Sequence, residues 1–139
     1  MSPEDRSRPD AQAPGGDSPF KGRRGLARVW NALHYSLAGL KVAYAGEAAF
    51  RQEVWLAAPL VAIACLLPVD GSERALLLGS VFLVLIVELV NSAIEAVVDR
   101  IGPERHPLSG RAKDVGSAAV LVALVNAAAI WACVLAPKL

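Results

Sequence analysis

Glu88-Leu89-Val90-Asn91-Ser92-Ala93-Ile94-Glu95-Ala96-Val97-Val98-Asp99-Arg100 is the stretch whose reading decides the fold. It follows directly on Ala75-Leu76-Leu77-Leu78-Gly79-Ser80-Val81-Phe82-Leu83-Val84-Leu85-Ile86-Val87, an apolar run that reads as membrane-spanning. At about 100° per residue, Glu88, Asn91, Glu95 and Asp99 fall within roughly 80° of one another on a helix. One stripe of a hydrophobic helix therefore carries three acids and an amide, while the other faces stay aliphatic. A charged side chain in hydrocarbon costs at least about 2.5–3.5 kcal/mol, so such a stripe needs partners and marks a functional site. A solvated helix end accounts for Asp99 and can account for Glu95. It does not account for Glu88, which sits among Ile86, Val87, Leu89 and Val90.

The whole chain fits this reading. Its 139 residues allow one domain, 55% of them are hydrophobic, and the mean hydropathy is +0.44. A formal net charge of +1 conceals an asymmetry, because charge gathers in the first half and in one loop. That pattern belongs to a polytopic membrane protein and argues against a soluble domain. Cys65 and Cys133 lie inside apolar runs without metal-ligand spacing and read as small hydrophobes.

Working outward towards the N-terminus, residues 1–22 are Pro, Gly, Ser, Asp and Arg with almost nothing apolar. They contain no hydrophobic core region and read as a disordered cytosolic tail, not a signal peptide. The remainder, residues 23–139, reads as one membrane domain. Leu26, Val29, Trp30, Leu33, Leu37, Leu40 and Tyr44 recur at helical spacing, with Arg28, Asn31 and Lys41 on other faces. This predicts an amphipathic helix on the membrane surface over about 26–45, with Trp30 and Tyr35 at headgroup level. The first span is expected over about 50–67. Its apolar part, Val54–Leu67, is shorter than the roughly 20 residues that cross a bilayer, so the Phe50–Glu53 turn must supply the rest.

Pro68-Val69-Asp70-Gly71-Ser72-Glu73 is a tight reversal, with Asp70 and Glu73 at the spacing of a capping box. The second span is expected over about 75–98, carrying the acidic stripe out at its far end to a stop at Gly102-Pro103. A polar loop follows, then a third span over about 115–135. That span is rich in alanine, with Gly116 and Ser117 early and Asn126 midway, and small residues mark it as a helix–helix contact surface. Asn126 reads there as interhelical glue.

Orientation follows from the basic residues. Eight precede the first span and four (Arg100, Arg105, Arg111 and Lys113) lie between spans two and three. Only Arg74 and Lys138 lie on the other side, which accounts for all 14 Lys and Arg. The N-terminus is expected in the cytosol and the C-terminus outside.

Glu47, Glu53, Glu88, Asn91, Glu95, Asp99, Lys113 and Asp114 then converge at one cytosolic level. Hard carboxylate oxygens such as those of Glu47 and Glu95 suit Mg²⁺, which is usually shared with phosphate oxygens. Lys113 stands at a helix start, where free N–H groups favour phosphates. Glu88, the deepest acid, is placed to accept a proton from a hydroxyl. A metal, a phosphate cradle and a base at a lipid interface describe phosphoryl transfer to a lipid, as one option among several. No Gly-rich loop with Lys-Ser/Thr and no kinase catalytic-loop motif is present.

Three motifs narrow the choice: Glu47-Ala48-Ala49-Phe50-Arg51-Gln52-Glu53, the stretch Glu88–Arg100, and Leu108-Ser109-Gly110-Arg111-Ala112-Lys113-Asp114-Val115-Gly116-Ser117-Ala118-Ala119. In this order and spacing the chain from about Arg28 onward resembles the small bacterial integral-membrane diacylglycerol kinases. The resemblance implies an all-α homotrimer of three-span subunits, each with an N-terminal surface helix, in the bacterial inner membrane. It implies Mg-ATP-dependent phosphorylation of diacylglycerol to phosphatidic acid, in active sites shared between subunits, with no nucleic-acid partner.

Carried over by position, the resemblance makes Glu88 the catalytic base with Asn91 in support, and Glu47 and Glu95 the metal ligands. Arg28, Tyr35, Glu47, Glu95, Glu104, His106, Lys113 and Asp114 would contact ATP, and Ser36, Lys41, Arg51, Glu88 and Ser117 would lie near the lipid. Lys41 stands where a family example carries Arg, and a lysine cannot make the bidentate contact of a guanidinium. Composition alone makes His106 a solvated loop residue, and Arg51 and Arg111 topology holders. Two rival functions are an undecaprenol kinase of the same family and a proton-coupled transporter. Against the transporter, the acids cluster at one membrane face and trace no path across it.

Overall fold

The computed structural model describes residues 21–102 and 106–138. Of the expected tail, residues 1–20 lie outside the described residues, as does Glu104. Four α-helices follow one another, α1 (Lys21–Gly46), α2 (Ala48–Leu66), α3 (Gly71–Ile101) and α4 (Pro107–Leu135), closed by a short 3₁₀ turn at Ala136–Lys138. No strand occurs among the described residues. The chain divides into two units, residues 1–36 and Leu37–Leu139.

In the first unit, α1 leaves Leu26, Val29, Trp30 and Leu33 exposed. At helical spacing they form one apolar face, the pattern of a helix whose partner is a lipid surface. Arg28, Asn31 and Tyr35 lie within about 60° of one another on the opposite face.

The second unit is a bundle in which α3 packs against both α2 and α4. α2, α3 and the segment Pro107–Lys138 are each long and apolar enough to cross a membrane. With 31 residues, α3 is about 46 Å long against a hydrocarbon layer of roughly 30 Å, so it must emerge on at least one side. α2 begins at Ala48 and so takes the Phe50–Glu53 turn into the helix, reaching 19 residues.

The buried face of α3 runs as one stripe through Leu77, Ser80, Val81, Val84, Glu88 and Asn91. The acidic stripe thus continues the apolar packing stripe and points into the bundle. At the α2–α3 turn, Ala64, Leu77 and Val134 from the three helices form a core cluster. The reversal is locally specified. Asp70 accepts from Glu73 N–H at 2.8 Å, and Glu73 accepts from Asp70 N–H at 3.1 Å, a reciprocal capping box. Arg74 donates to the carbonyls of Leu67, which also accepts from Val69 N–H, and of Val69, tying the turn to the start of α3. At its other end α3 stops at Gly102, whose φ of 146° lies outside the helical range and favours glycine. Large apolar side chains such as Trp55, Leu56, Val90 and Leu121 remain exposed, as lipid-facing or subunit-facing positions do.

A buried acidic centre between three helices

Glu47 is the N-cap of α2, yet its side chain makes no capping hydrogen bond. Its carboxylate is thus not committed to the helix end. Four residues on, Arg51 reaches back and donates to the carbonyls of Tyr44 (3.1 Å) and Ala45 (2.9 Å). These are last-turn carbonyls of α1, which a guanidinium satisfies well, so Arg51 fixes the corner that carries Glu47. Phe50 is buried beside it, and Glu53 one turn along is half-buried.

From α3, Glu88 is 4% exposed and Asn91 8%, with Glu95 half-buried one turn further. Glu88 lies within electrostatic reach of Glu47, Glu95 and Glu53. Asn91 Nδ2 donates to Glu95 Oε1 at 3.2 Å. Two acceptors in this group, Glu53 Oε2 and Asn91 Oδ1, are buried without a hydrogen-bond partner. Unpaired buried acceptors beside like charges are costly unless a cation or donor arrives.

Among the described residues, no lysine or arginine forms an ion pair with Glu47, Glu53, Glu88 or Glu95. Two cations close by are already used: Arg51 on the α1 carbonyls, and Lys113 Nζ on α4, which pairs with Asp99 Oδ1 on α3 at 2.5 Å. Below Glu53 an apolar groove opens between the helices, lined by Leu56, Leu60, Val81, Val84 and Leu124.

The donor set fits a hard divalent cation shared with phosphate. Among the described residues no three His, Cys, Asp or Glu form a complete protein metal cage. Mg²⁺ does not require one, since it is ordinarily held by one or two carboxylates plus substrate phosphate oxygens. Glu47, free of any cap bond, and Glu95, engaged only by Asn91 Nδ2, sit in a negative cluster with orphaned acceptors and match that pattern.

The remaining candidates stand elsewhere. Arg28 and Tyr35 share the polar face of α1 in the first unit, bordering a shallow groove with Asn31, and Ser36 donates to Ala32 O at 2.9 Å. Lys41, Asp114 and Ser117 are exposed. His106 is the N-cap of α4: its Nδ1 accepts from Leu108 N–H at 3.2 Å, with Pro107 opening the helix. The sequence reading placed Glu53 at the cytosolic level without a site role, took Gly116 only as a small packing residue, and did not pair Asp99 with Lys113. Glu53 carried a readable signal, an acid entering an apolar run one turn past Phe50. The other two depend on how α3 and α4 align.

A bundle of membrane-crossing helices with a carboxylate cluster buried at one end is the framework of an integral-membrane enzyme. The family model described as prokaryotic diacylglycerol kinase matches residues 34–135. A diacylglycerol kinase of Pseudomonas aeruginosa is 58% identical over 118 residues, covering 85% of this chain and 96% of that protein. A diacylglycerol kinase of Escherichia coli K12 is also 58% identical, over 111 residues that cover 80% of this chain and 90% of that protein. One from Helicobacter pylori is 46% identical over 108 residues, 78% of this chain and 84% of that protein. The chain belongs to the prokaryotic diacylglycerol kinase family, and with it to the lipid kinases.

Proposed function

We propose that the protein transfers the γ-phosphoryl group of ATP to the free hydroxyl of diacylglycerol, giving phosphatidic acid and ADP at the cytosolic face of a bacterial inner membrane. The observation that carries this reading is Glu88, a carboxylate buried at 4% exposure at the end of an apolar helix and ringed by further acids. In lipid surroundings such a group is retained for a task.

Glu88 accepts the proton as the hydroxyl oxygen bonds to the γ-phosphorus and the bond to the β-phosphate oxygen breaks. Glu47 and Glu95 would hold Mg²⁺, which would offset the phosphate charge. Asn91 orients Glu95 through its hydrogen bond. Lys113 and Asp114 would contact the nucleotide, and by family resemblance so would Arg28, Tyr35, Glu104 and His106. Arg51 positions the Glu47 corner and, with Ser36, Lys41 and Ser117, lies near the lipid. The groove below Glu53 is apolar, as an acyl chain requires.

The exposed apolar faces of the spans support assembly with further copies, a homotrimer with shared sites in the family architecture. The distribution of basic residues supports a cytosolic N-terminus. The test is a purified-enzyme assay with Mg-ATP and either diacylglycerol or undecaprenol, with and without the metal. Metal-dependent formation of phosphatidic acid is expected. Turnover of undecaprenol alone moves the substrate assignment, and none with either lipid refutes the kinase reading of the site.

A further inference from the structure

The geometry points to Gly116 as a positioning residue of the acidic centre: its missing side chain provides the space that holds the Asn91 amide in register with Glu95. The inference rests on the phosphoryl-transfer reading of that centre.

A Cβ built on Gly116 would overlap Asn91 Oδ1 and come within 3.3 Å of Asn91 Cγ. At Gly79 and Gly110, elsewhere on α3 and α4, a Cβ would meet nothing within 4 Å. Gly116 is itself buried. Asn91 Oδ1 is the buried acceptor without a partner, so the amide is not held from the α4 side by a hydrogen bond. Two things hold it: the bond from Nδ2 to Glu95 Oε1, and the surface of α4 at Gly116. Turning the amide over would set its oxygen against the Glu95 carboxylate, two acceptors facing each other. The one productive orientation therefore directs Oδ1 at a backbone without a side chain.

A methyl group at residue 116 removes that orientation. Rotating the amide about its own axis would relieve the Oδ1 overlap, but it would leave Cγ at a tight 3.3 Å and break the bond to Glu95. Either the Asn91 side chain swings away from Glu95, or α4 withdraws from α3. Packed interiors resist such shifts. Losing an outer partner of a metal-binding carboxylate typically lowers metal affinity or turnover on the order of 10–100-fold. By contrast, Asn91 Cβ lies 4.0 Å from the built Cβ, ordinary contact distance. Cutting Asn91 back to alanine therefore makes room for the methyl.

The test is a double-mutant cycle on the full-length protein, with Gly116→Ala, Asn91→Ala and the pair, and Gly79→Ala as the control. Three quantities are read: Mn²⁺ affinity by electron paramagnetic resonance with nucleotide present, turnover of diacylglycerol, and the thermal midpoint. Gly116→Ala should weaken Mn²⁺ binding and turnover on the order of 10–100-fold and lower the thermal midpoint, whereas Gly79→Ala behaves like wild type. In the Asn91→Ala background, adding Gly116→Ala should change none of the three further. Wild-type Mn²⁺ affinity in Gly116→Ala overturns the proposal. So does a second variant effect that adds in full to the first, or a double variant that misfolds where Asn91→Ala folds, since each means that Gly116 serves helix packing alone. An inactive wild type would instead refute the kinase reading, so the two failures are distinguishable.

Discussion

At the α2–α3 turn, Asp70 and Glu73 bond each other's backbone N–H and Glu73 also takes Lys138 at 3.1 Å. At the other end of the same bundle, Glu47, Glu53, Glu88 and Glu95 form no ion pair with any described lysine or arginine. Both ends leave buried polar atoms without partners, but of opposite kind. Near the turn and along α4 they are donors, Arg74 Nε and Trp131 Nε1, whereas at the acidic end they are acceptors, Glu53 Oε2 and Asn91 Oδ1. An end whose acids are satisfied locally closes a hairpin and has nothing left to bind. An end with uncommitted carboxylates and acceptors of one sign is incomplete until positive charge or a donor enters. The contrast locates function, because folding alone would favour satisfying both ends.

The sharpest way to break this comparison is to neutralise the deepest acid. Glu88→Gln keeps size and shape, so helices and assembly should persist, while an amide cannot take the hydroxyl proton. Loss of turnover by about 10²–10⁴-fold is expected, the usual contribution of a general base. It is measured as phosphatidic acid formed under saturating ATP and lipid, beside a sizing run in detergent. A variant that keeps wild-type turnover would sink the base assignment and return Glu88 to a packing role.

A smaller effect should come from the border of the acidic end. Asp99 and Lys113 are paired at 2.5 Å with both side chains substantially exposed. If Lys113 serves the nucleotide phosphates, Asp99 competes with them for it. Asp99→Asn should then lower the KM for ATP about two- to five-fold, the scale of an exposed ion pair, with kcat little changed. The difference should shrink between about 0.02 M and about 0.3 M salt, since exposed charges are screened. A raised KM would show instead that Asp99 holds Lys113 in place for the nucleotide.

How much of this was legible depends on whether a feature is local. The Asp70–Glu73 box and the stop at Gly102 use residues within one turn, and the sequence pattern states them outright. The acidic stripe was equally readable, because helical period alone puts Glu88, Asn91 and Glu95 on one face. That this face points inward follows from its continuity with Leu77, Val81 and Val84. The contact between Asn91 and Gly116 was hidden, since it depends on the register of α3 against α4. Gly116 read only as a small residue that permits close packing, without indicating which side chain would use the space. The start of α4 at Pro107 was blurred for another reason. Hydropathy marks where the apolar run begins, at Val115, while the helix begins where His106 and Pro107 supply a cap and a preset φ.

The smallest effect, and the one that tests the satisfied end, concerns Asp70. Its carboxylate accepts the Glu73 N–H, and that backbone bond, assisted by Ser72 and by the charge of Lys138, holds its pKa below the ordinary 3.8. A folded-state pKa below the unfolded one means that the unfolded chain binds the proton more readily. The stabilisation from Asp70 is then fully present above the unfolded value and is lost as pH falls through the lowered, folded one. Asp70→Ala should therefore melt slightly below wild type at neutral pH, with the gap constant down to about pH 5 and closing below about pH 4. Turnover of diacylglycerol at neutral pH should not change, because the cap lies at the end of the bundle away from the acids. Thermal scans in detergent across that pH range, paired with the lipid assay, measure both. A gap that persists undiminished at about pH 2–3 would mean that the carboxylate charge is not what caps α3. A loss of turnover matching the Glu88 variant would mean that the two ends are coupled through α3, and that the division between a satisfied end and a working end does not hold.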